Sequence, residues 1–258
     1  MQVISFCINA KMAHFRKYFS NSTALSHYVP PVTTVYGIIA GLLGYERDTY
    51  YEVFNLDTCK IAIIPLQAMK KITQTLNILK VEQINHLCGY GANRTQNNTE
   101  FVIPDNIRTN NLSYQIIFAH KDAAIMQKLA QKICHEELGY GSSGISLSIG
   151  SAQCLGWISQ GRVTDIKSIA PDPEGEYIEG LVPVAYVDRI LLDANNTYLS
   201  REESIVEFRS GGERRRKITE RSRVQLLLNS RCKAMKLCIK PDCTVQVLDD
   251  KQKFVFVR

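Results

Sequence analysis

Residues 28–44 read YVPPVTTVYGIIAGLLG and carry the clearest structural pattern in the chain. The two prolines keep the start of this segment extended, and Thr33 or Thr34 can cap a first helical turn. Gly44 is the residue type that commonly follows a helix end. Between them, apolar side chains recur at i, i+3, i+4, i+7 and i+8, the spacing of one helix face: Val35, Ile38, Ile39, Leu42 and Leu43. The segment therefore predicts a helix that ends at Gly44.

Strand-like patterns lie on both sides of this helix. Residues 3–8 alternate between two faces, with Ile4, Phe6 and Ile8 on one of them. Further runs predict strands at 60–66, 71–80, 112–118 and 145–150, and a second helix at 122–138. Residues 81–111 have no period. The order β-α-β-β-insertion-β-α-β is close to a ferredoxin-like, RRM-like split βαβ unit with a long insertion.

The chain changes character after residue 160. Short strands are predicted there at 181–192, 205–208, 224–228, 235–239, 245–248 and 254–257. We therefore predict an α+β chain with two regions: an RRM-like domain over 1–160, with its insertion at about 81–111, and a smaller β-rich region over 161–258.

Positive charge is concentrated in two segments. The chain has 258 residues and a net charge of +6. The stretch 209–223, RSGGERRRKITERSR, holds seven basic residues and two acidic ones, while residues 1–45 contain Lys11, Arg16 and Lys17 and no carboxylate. Both segments have the charge that a polyanion-binding surface needs, because phosphate contacts supply much of the affinity for nucleic acid.

Other classes of function find little support in the sequence. None of the eight cysteines forms a C-x-x-C pair, so we expect reduced thiols and no metal. There is no paired-carboxylate motif, no Ser/His/Asp order and no phosphate loop, which argues against a cofactor or a small-molecule substrate. No signal peptide or membrane span is evident, which predicts a cytoplasmic protein that contacts no membrane.

Two blocks of sequence resemble a known family. Residues 9–48, NAKMAHFRKYFSNSTALSHYVPPVTTVYGIIAGLLGYERD, contain an Ala-x-Phe-Arg-like core, a Ser/Thr stretch, a Tyr-x-x-Pro-Pro turn and a glycine-containing helix ending in Leu-Gly. Residues 148–156, SIGSAQCLG, follow a glycine-rich loop. This combination is similar to the CRISPR-associated protein 5 family, and particularly to its type I-B branch. The region after residue 156 is only loosely similar.

The resemblance implies a role in antiviral defence. That family belongs to the RAMP superfamily of RRM-like proteins and sits at the foot of the Cascade complex, which recognises DNA by means of an RNA guide. It holds the 5′ handle of the crRNA and touches the backbone subunit and the large subunit, with target DNA nearby. Its projecting β-hairpin, the thumb, would correspond to residues 81–111.

Several residues are then expected to contact RNA. Lys11, Arg16 and Lys17 would hold handle phosphates, arginine being suited to bidentate contact. His14 and Phe15 could stack on splayed-out bases, although Phe15 could equally be a core residue.

Backbone amides of the glycine-rich segment could also approach phosphate closely, because no Cβ intervenes. The residues concerned are Gly141, Gly144, Gly150 and Ser151. Gly139, at the start of the same segment, could instead simply end the second helix.

The insertion and the second basic segment supply the remaining candidates. Arg94 and Arg108 flank the insertion and could hold RNA that a tip formed by residues 101–103 wedges apart. Arg214, Arg215 and Arg216 would contact RNA, DNA near the protospacer-adjacent motif or an acidic partner; the sequence does not choose between these.

A catalytic alternative also exists. Some relatives cleave the repeat RNA without metal, which requires a base for the 2′-OH and a cation for the developing charge. His120 and Lys121 offer both groups, but adjacent residues on a strand point to opposite faces. Type I-B systems, moreover, generally rely on a separate processing ribonuclease. We therefore expect an RNA-binding subunit without catalytic residues, in preference to an endoribonuclease or a scaffold that makes no RNA contact.

Overall fold

Strands dominate the computed structural model, which describes residues 1–20, 23–79, 81, 83–88, 94–134, 147–212, 216–249 and 251–257. The α-helices in these ranges are α1 (Val32–Leu42) and α2 (Ala123–Cys134). The strands are β1 (Gln2–Ala10), β2 (Phe15–Arg16), β3 (Ser26–His27), β4 (Cys59–Pro65), β5 (Met69–Leu79), β6 (Arg94–Pro104), β7 (Leu112–His120), β8 (Gly156–Ile169), β9 (Glu176–Ile178), β10 (Val182–Pro183), β11 (Val187–Ile190), β12 (Leu199–Ile205), β13 (Arg209–Ser210), β14 (Arg216–Lys217), β15 (Arg223–Asn229), β16 (Met235–Ile239), β17 (Val245–Leu248) and β18 (Gln252–Phe254). The predicted mixture of strands and two helices is confirmed.

A six-stranded antiparallel sheet organises the fold. Its strand order is β18-β17-β8-β1-β7-β4. The chain visits the four strands from β8 to β4 in the succession β1-α1-β4-β7-α2-β8, with both helices packed into one core against β1 and β7. The strand predicted at 145–150 is wrong in its described part. There only Ser148 pairs, in an isolated bridge to Leu155, and the strand that enters the sheet is β8.

Both helices place their predicted faces inward. Val35 and Ile39 of α1 are buried, as are Ile125, Leu129 and Ile133 of α2. The predicted threonine cap is wrong, because Pro31 occupies the N-cap position and no side chain caps that end. Gly44 follows α1 with φ +82°, in the left-handed region that suits glycine. The helix predicted to reach residue 138 can be followed to Cys134, since 135–146 lie outside the described residues.

The sheet is buried on both faces, and both predicted regions contribute strands and core residues to it. Its second face holds a separate core that includes Val3, Ile117, Leu248 and Phe254. The chain end then returns to the edge strand β4, where the Val257 amide donates to the Ile61 carbonyl at 2.8 Å. β8 runs through the boundary expected between residues 160 and 161. Residues from both sides of that boundary therefore share one sheet.

A long hairpin projects from the core that lies between the two helices and the main sheet. β5 and β6 pair in register from Met69 opposite Pro104 to Leu79 opposite Arg94, and we call this pair the thumb hairpin. The expectation that residues 101–103 form its tip is wrong. They lie at its base, where Phe101 and its two neighbours are buried. The hairpin begins at residue 69, earlier than predicted. The prediction missed its first half because the sequence of β5 resembles that of an independent strand.

The remaining strands form small sheets beside the main one. Their orders are β10-β15-β12, β11-β16-β9 and β13-β14. The predicted strands at 224–228, 235–239 and 245–248 are present, whereas the one at 205–208 is wrong because β12 ends at Ile205. No helix in the described ranges is both long and apolar enough to cross a lipid bilayer.

Candidate nucleic-acid interface

Two adjoining concavities form a groove across one side of the molecule. The first, of about 450 Å³, lies between the thumb hairpin and the segment around β2. The second, of about 310 Å³, lies between the start of α1 and the strands near β12. Arg16, Pro31 and Thr34 line both concavities. We call the combined space the Arg16 groove.

The described lining of this groove contains no aspartate or glutamate, and its charged residues are Arg16 and Arg216. Both arginines are exposed. Asn97, Thr99 and Ser151 contribute polar groups to the first concavity. A concave surface with this charge concentrates anions, and guanidinium groups suit phosphate.

The pairing of β2 with β3 explains why Arg16 faces outward. Phe15 lies opposite His27 and Arg16 opposite Ser26, so successive side chains point to opposite faces. The guanidinium Nη2 of Arg16 donates to the Ser20 carbonyl at 3.1 Å. This bond orients the side chain, and among the described residues the other guanidinium N–H groups have no hydrogen-bond partner that would keep them from a ligand.

The structure corrects the expectation that His14 and Phe15 stack on bases. Phe15 is only 2% exposed and packs edge-on against Tyr114, with ring centroids 6.0 Å apart. His14 is buried, its Nδ1 donates to the Glu100 carbonyl at 2.6 Å, and its ring lies 5.8 Å from that of Phe101. Both residues line the groove from within the core, so neither ring offers a free face.

Lys17 belongs to a buried charge cluster, which corrects its predicted phosphate contact. Its Nζ lies 3.3 Å from Oε1 of Glu202, which also lies 3.4 Å from Nζ of Lys71. The other carboxylate oxygen lies 3.3 Å from Nδ1 of His27. Burial by itself would raise the pKa of Glu202, but the His27 hydrogen bond and the neighbouring cations outweigh it and lower the pKa to about 2. The Lys17 charge is therefore compensated inside the protein.

The other residues predicted near the first concavity are divided. Gly150 and Ser151 line it, whereas Lys11, exposed and 3.4 Å from the Asn110 carbonyl, does not. Gly150 has φ +93°, and a Cβ there would come 1.8 Å from the His14 carbonyl oxygen. Glycine is thus required by this backbone contact, whatever binds the amides. Gly141 and Gly144 lie outside the described residues, as does Gly139.

Arg94 and Arg108 are not brought together at a hairpin tip. Arg94 begins β6 opposite Leu79, and its side chain lies outside the described part. Arg108 is exposed in the connection from β6 to β7 and does not line the groove. Arg108 therefore follows the base of the thumb hairpin, whereas Arg94 lies at the other end of β6.

Two arginines of the second basic segment, Arg209 and Arg221, are bound to carboxylates. Arg209 Nη2 lies 2.5 Å from Asp57 Oδ2, and Arg221 Nη2 lies 2.7 Å from Asp57 Oδ1. Hydrogen bonds from Arg221 and then Arg209 lower the pKa of Asp57. Both arginines also approach the buried Glu207, at 3.5 and 3.6 Å.

Arg216 behaves differently from Arg209 and Arg221. Its guanidinium lies 5.1 Å from the centroid of the Phe208 ring and lines the second concavity. Arg214 and Arg215 lie outside the described residues.

His120 and Lys121 do not reach the groove. Nε2 of His120 donates to the Val53 carbonyl at 3.0 Å, and its Nδ1 accepts from the Asp122 amide at 2.9 Å. The ring also packs 5.6 Å from Phe54. Both nitrogens of the candidate base are thus engaged within the protein. Lys121 is exposed. Within the described ranges no group of His, Cys, Asp and Glu side chains is arranged to hold a metal.

Several groove residues were not predicted from the sequence. Thr34, Tyr50 and Phe208 line the second concavity, and Asn97 and Thr99 line the first. Their separation along the chain leaves no local signal. Tyr18 also lines the second concavity, and its position two residues after Arg16 was a signal that could have identified it.

Comparison with known proteins bears on the fold. A CRISPR protein from Archaeoglobus fulgidus aligns over 100% of both chains, with a TM-score of 0.58 and 13% sequence identity. A chain of a CRISPR RNA-guided surveillance complex aligns over 91% of both chains, with a TM-score of 0.45 and 10% identity. A chain of the type III-B Cmr-beta complex bound to cognate target RNA and AMPPnP gives 0.41 and 11% identity over 90% of this chain and 86% of that one.

No protein-family model and no curated protein matches the sequence. The fold assignment rests on the Archaeoglobus protein, since the other two structural similarities are weaker. This similarity shows that the chain has the fold of a CRISPR-associated protein.

Proposed function

We propose that this chain is a non-catalytic subunit of a type I CRISPR Cascade complex that binds the 5′ handle of the crRNA. One observation carries the proposal. The two sequence blocks that resemble the CRISPR-associated protein 5 family, 9–48 and 148–156, lie about a hundred residues apart and line the same concavity, whose described lining has no carboxylate. The first block contributes Arg16, Pro31 and Thr34, and the second contributes Gly150, Ser151 and Gln153.

The architecture supports the proposal, because it fits the RRM-like fold of the RAMP superfamily. The succession β1-α1-β4-β7-α2-β8, with the strand order β8-β1-β7-β4 and antiparallel pairing throughout, fits a ferredoxin-like unit. The thumb hairpin projects between β4 and β7, and its second strand, β6, lies within the region where the insertion was expected. We assign the chain to the type I-B branch on the sequence blocks.

The groove suits a single strand of RNA. Arg16 lies where the concavities meet and can donate two parallel hydrogen bonds to one phosphate. Arg216 lines the far end, and Asn97, Thr99 and Ser151 supply neutral polar groups for sugar or base edges. Each phosphate that an arginine neutralises releases counterions, so affinity should fall as salt rises.

The remaining parts of the proposal follow from the family. The protein would act in the cytoplasm, beside the Cascade backbone subunit and large subunit, with target DNA nearby. It would bind no cofactor and catalyse no reaction. The internal bonds of His120 support a structural role for that residue in place of general-base catalysis.

Titration against fluorescently labelled CRISPR-repeat RNA tests the proposal. We expect salt-sensitive binding that Arg16→Ala weakens about tenfold, because hydrogen bonds to charged groups contribute about 1.5–3 kcal/mol. Arg189→Ala is the matched control, since Arg189 is an exposed arginine of β11 that does not line the groove. Equal effects of the two substitutions, or binding that is insensitive to salt, would contradict the proposal.

The same RNA incubated in EDTA distinguishes binding from cleavage. We expect the RNA to remain intact. Specific cutting that disappears in His120→Ala would overturn the non-catalytic assignment and establish a metal-independent endoribonuclease.

A further inference from the structure

Two exposed aromatic side chains stand next to the Arg16 groove. Tyr18 is 44% exposed and Phe19 55% exposed, and their rings meet edge to face with centroids 5.2 Å apart. Tyr18 also lines the second concavity. Two exposed rings that touch each other at the edge of a groove form an apolar surface on which a flat ligand ring can stack.

A tight turn holds the pair in a fixed position relative to Arg16. The Ser20 amide and hydroxyl both donate to the Lys17 carbonyl, at 3.2 and 2.8 Å, while the Ser20 carbonyl accepts from Arg16. These bonds close the segment that carries Tyr18 and Phe19. The guanidinium and the two rings therefore form one preorganised unit, which lowers the entropic cost of ligand binding.

The surroundings of the rings favour an anionic ligand with flat rings of its own. The Arg223 guanidinium lies 5.5 Å from the Tyr18 ring centroid, and Lys17 Nζ lies 5.9 Å from that of Phe19. Glu203 is the neighbouring carboxylate. Its Oε1 accepts from the Tyr18 hydroxyl and its Oε2 from the Gln225 amide, so both oxygens are engaged by the protein. Glu202 compensates Lys17, so the cations left for the phosphates of a polynucleotide are the exposed Arg223 and Arg16, and the rings match its bases.

We propose that Tyr18 and Phe19 form a stacking platform for an unpaired base of single-stranded RNA whose adjoining phosphate is bound by Arg16. The inference rests on the proposed function and adds to it a base contact that the buried His14 and Phe15 cannot make. Stacking recognises the π-face that every base has, so the platform positions the RNA and contributes affinity with little preference for base identity.

Fluorescence anisotropy with labelled CRISPR-repeat RNA and a series of abasic derivatives, one abasic nucleotide in each, tests the platform. We expect Phe19→Ala to weaken binding of intact RNA about tenfold, as base–aromatic stacking typically does. At one position in the series, removal of the base should weaken wild-type binding similarly and add little to the loss in Phe19→Ala. This non-additivity is the signature of a direct contact. Phe19→Trp should retain most of the affinity.

Tyr198→Ala is the matched control, since Tyr198 is 53% exposed, lies 4.9 Å from an arginine guanidinium, and does not line the groove. It should bind RNA like the wild type, and all variants should unfold at the wild-type temperature. Losses that add at every abasic position, or full affinity in both Tyr18→Ala and Phe19→Ala, would overturn the platform. If Arg16→Ala still weakens binding in that case, the proposed function stands. A wild-type protein that binds no RNA removes both.

Discussion

Both basic segments have an excess of positive charge in sequence, but they differ in how many of their cations the folded molecule pairs with carboxylates. Residues 209–223 hold more charge, yet Arg209 and Arg221 are paired with Asp57 and Glu207. The N-terminal segment holds three cations, and it leaves Arg16 exposed in a groove with no described carboxylate. Surface potential therefore depends on which carboxylates the fold brings to each cation, and a count of charges along the chain does not reveal this.

Within each segment the residues also differ from one another. Lys17 follows Arg16 directly and is compensated by Glu202, a residue far along the chain. Arg216 lies between Arg209 and Arg221 in sequence and reaches the groove, while those two do not line it. Arg209 lies opposite Lys217 and Arg216 opposite Ser210 in the β13–β14 pair, so alternation places these two arginines on opposite faces. The predictions below test whether compensated and uncompensated cations behave differently.

The largest effect is expected from Glu202→Ala. The substitution leaves Lys17 and Lys71 without their shared carboxylate in a buried site, and breaking such a pair typically costs about 3–5 kcal/mol. Urea unfolding should show this loss, whereas Glu174→Ala, at an exposed position, should be within about 0.5 kcal/mol of the wild type. A similar small change for both would mean that Lys17 is not compensated, and the contrast with Arg16 would disappear.

The pH dependence of stability gives an independent measure of the same cluster. The folded pKa of Glu202 is about 2, below its ordinary value of 4.5. A depressed folded pKa contributes stability above the unfolded pKa, and this contribution is lost as pH falls from about 4.5 towards 2. The wild type should therefore lose up to about 3 kcal/mol more than Glu202→Gln over this range. Parallel stability curves for the two proteins would contradict the ion-pair assignment.

A smaller effect on stability is expected from Glu207→Gln. Its carboxylate accepts from the Leu56 amide at 3.0 Å and lies near Arg209 and Arg221, which keep their bonds to Asp57. We expect a loss of about 1–3 kcal/mol in urea unfolding, typical of a buried group whose hydrogen bonds are weakened. A loss as large as that of Glu202→Ala would show that Asp57 does not compensate the two arginines.

The smallest effect separates two arginines of one segment. Arg216→Ala should weaken binding of labelled CRISPR-repeat RNA about fivefold and reduce the salt dependence by roughly one phosphate contact. Arg221→Ala should leave RNA affinity within about twofold, because its charge is already paired. Anisotropy titrations at several salt concentrations measure both, and a larger effect of Arg221→Ala would reverse the interpretation.

The local elements were largely predictable. The periodicity of α1 and α2 and the strands β1, β4 and β7 follow from side-chain patterns that depend on a few neighbouring residues. The thumb hairpin was displaced in the prediction because β5 alone resembles an ordinary strand. Its role as an arm depends on its pairing with β6. Likewise, the boundary expected at residue 160 missed the continuity of β8, since only pairing with both β1 and β17 shows that the strand is shared.

For the candidate site, the sequence by itself determined that Arg16 belongs to a segment without carboxylates, that a helix follows the two prolines, and that two family-like blocks exist. Helix periodicity and the backbone restriction imposed by proline act within a few residues, so they can be inferred locally. Only the tertiary structure decided that these blocks share a groove, that Glu202 compensates Lys17 and that Tyr18 and Phe19 remain exposed. Electrostatic compensation and burial depend on distances between atoms, and residues far apart in the chain set those distances only when it folds.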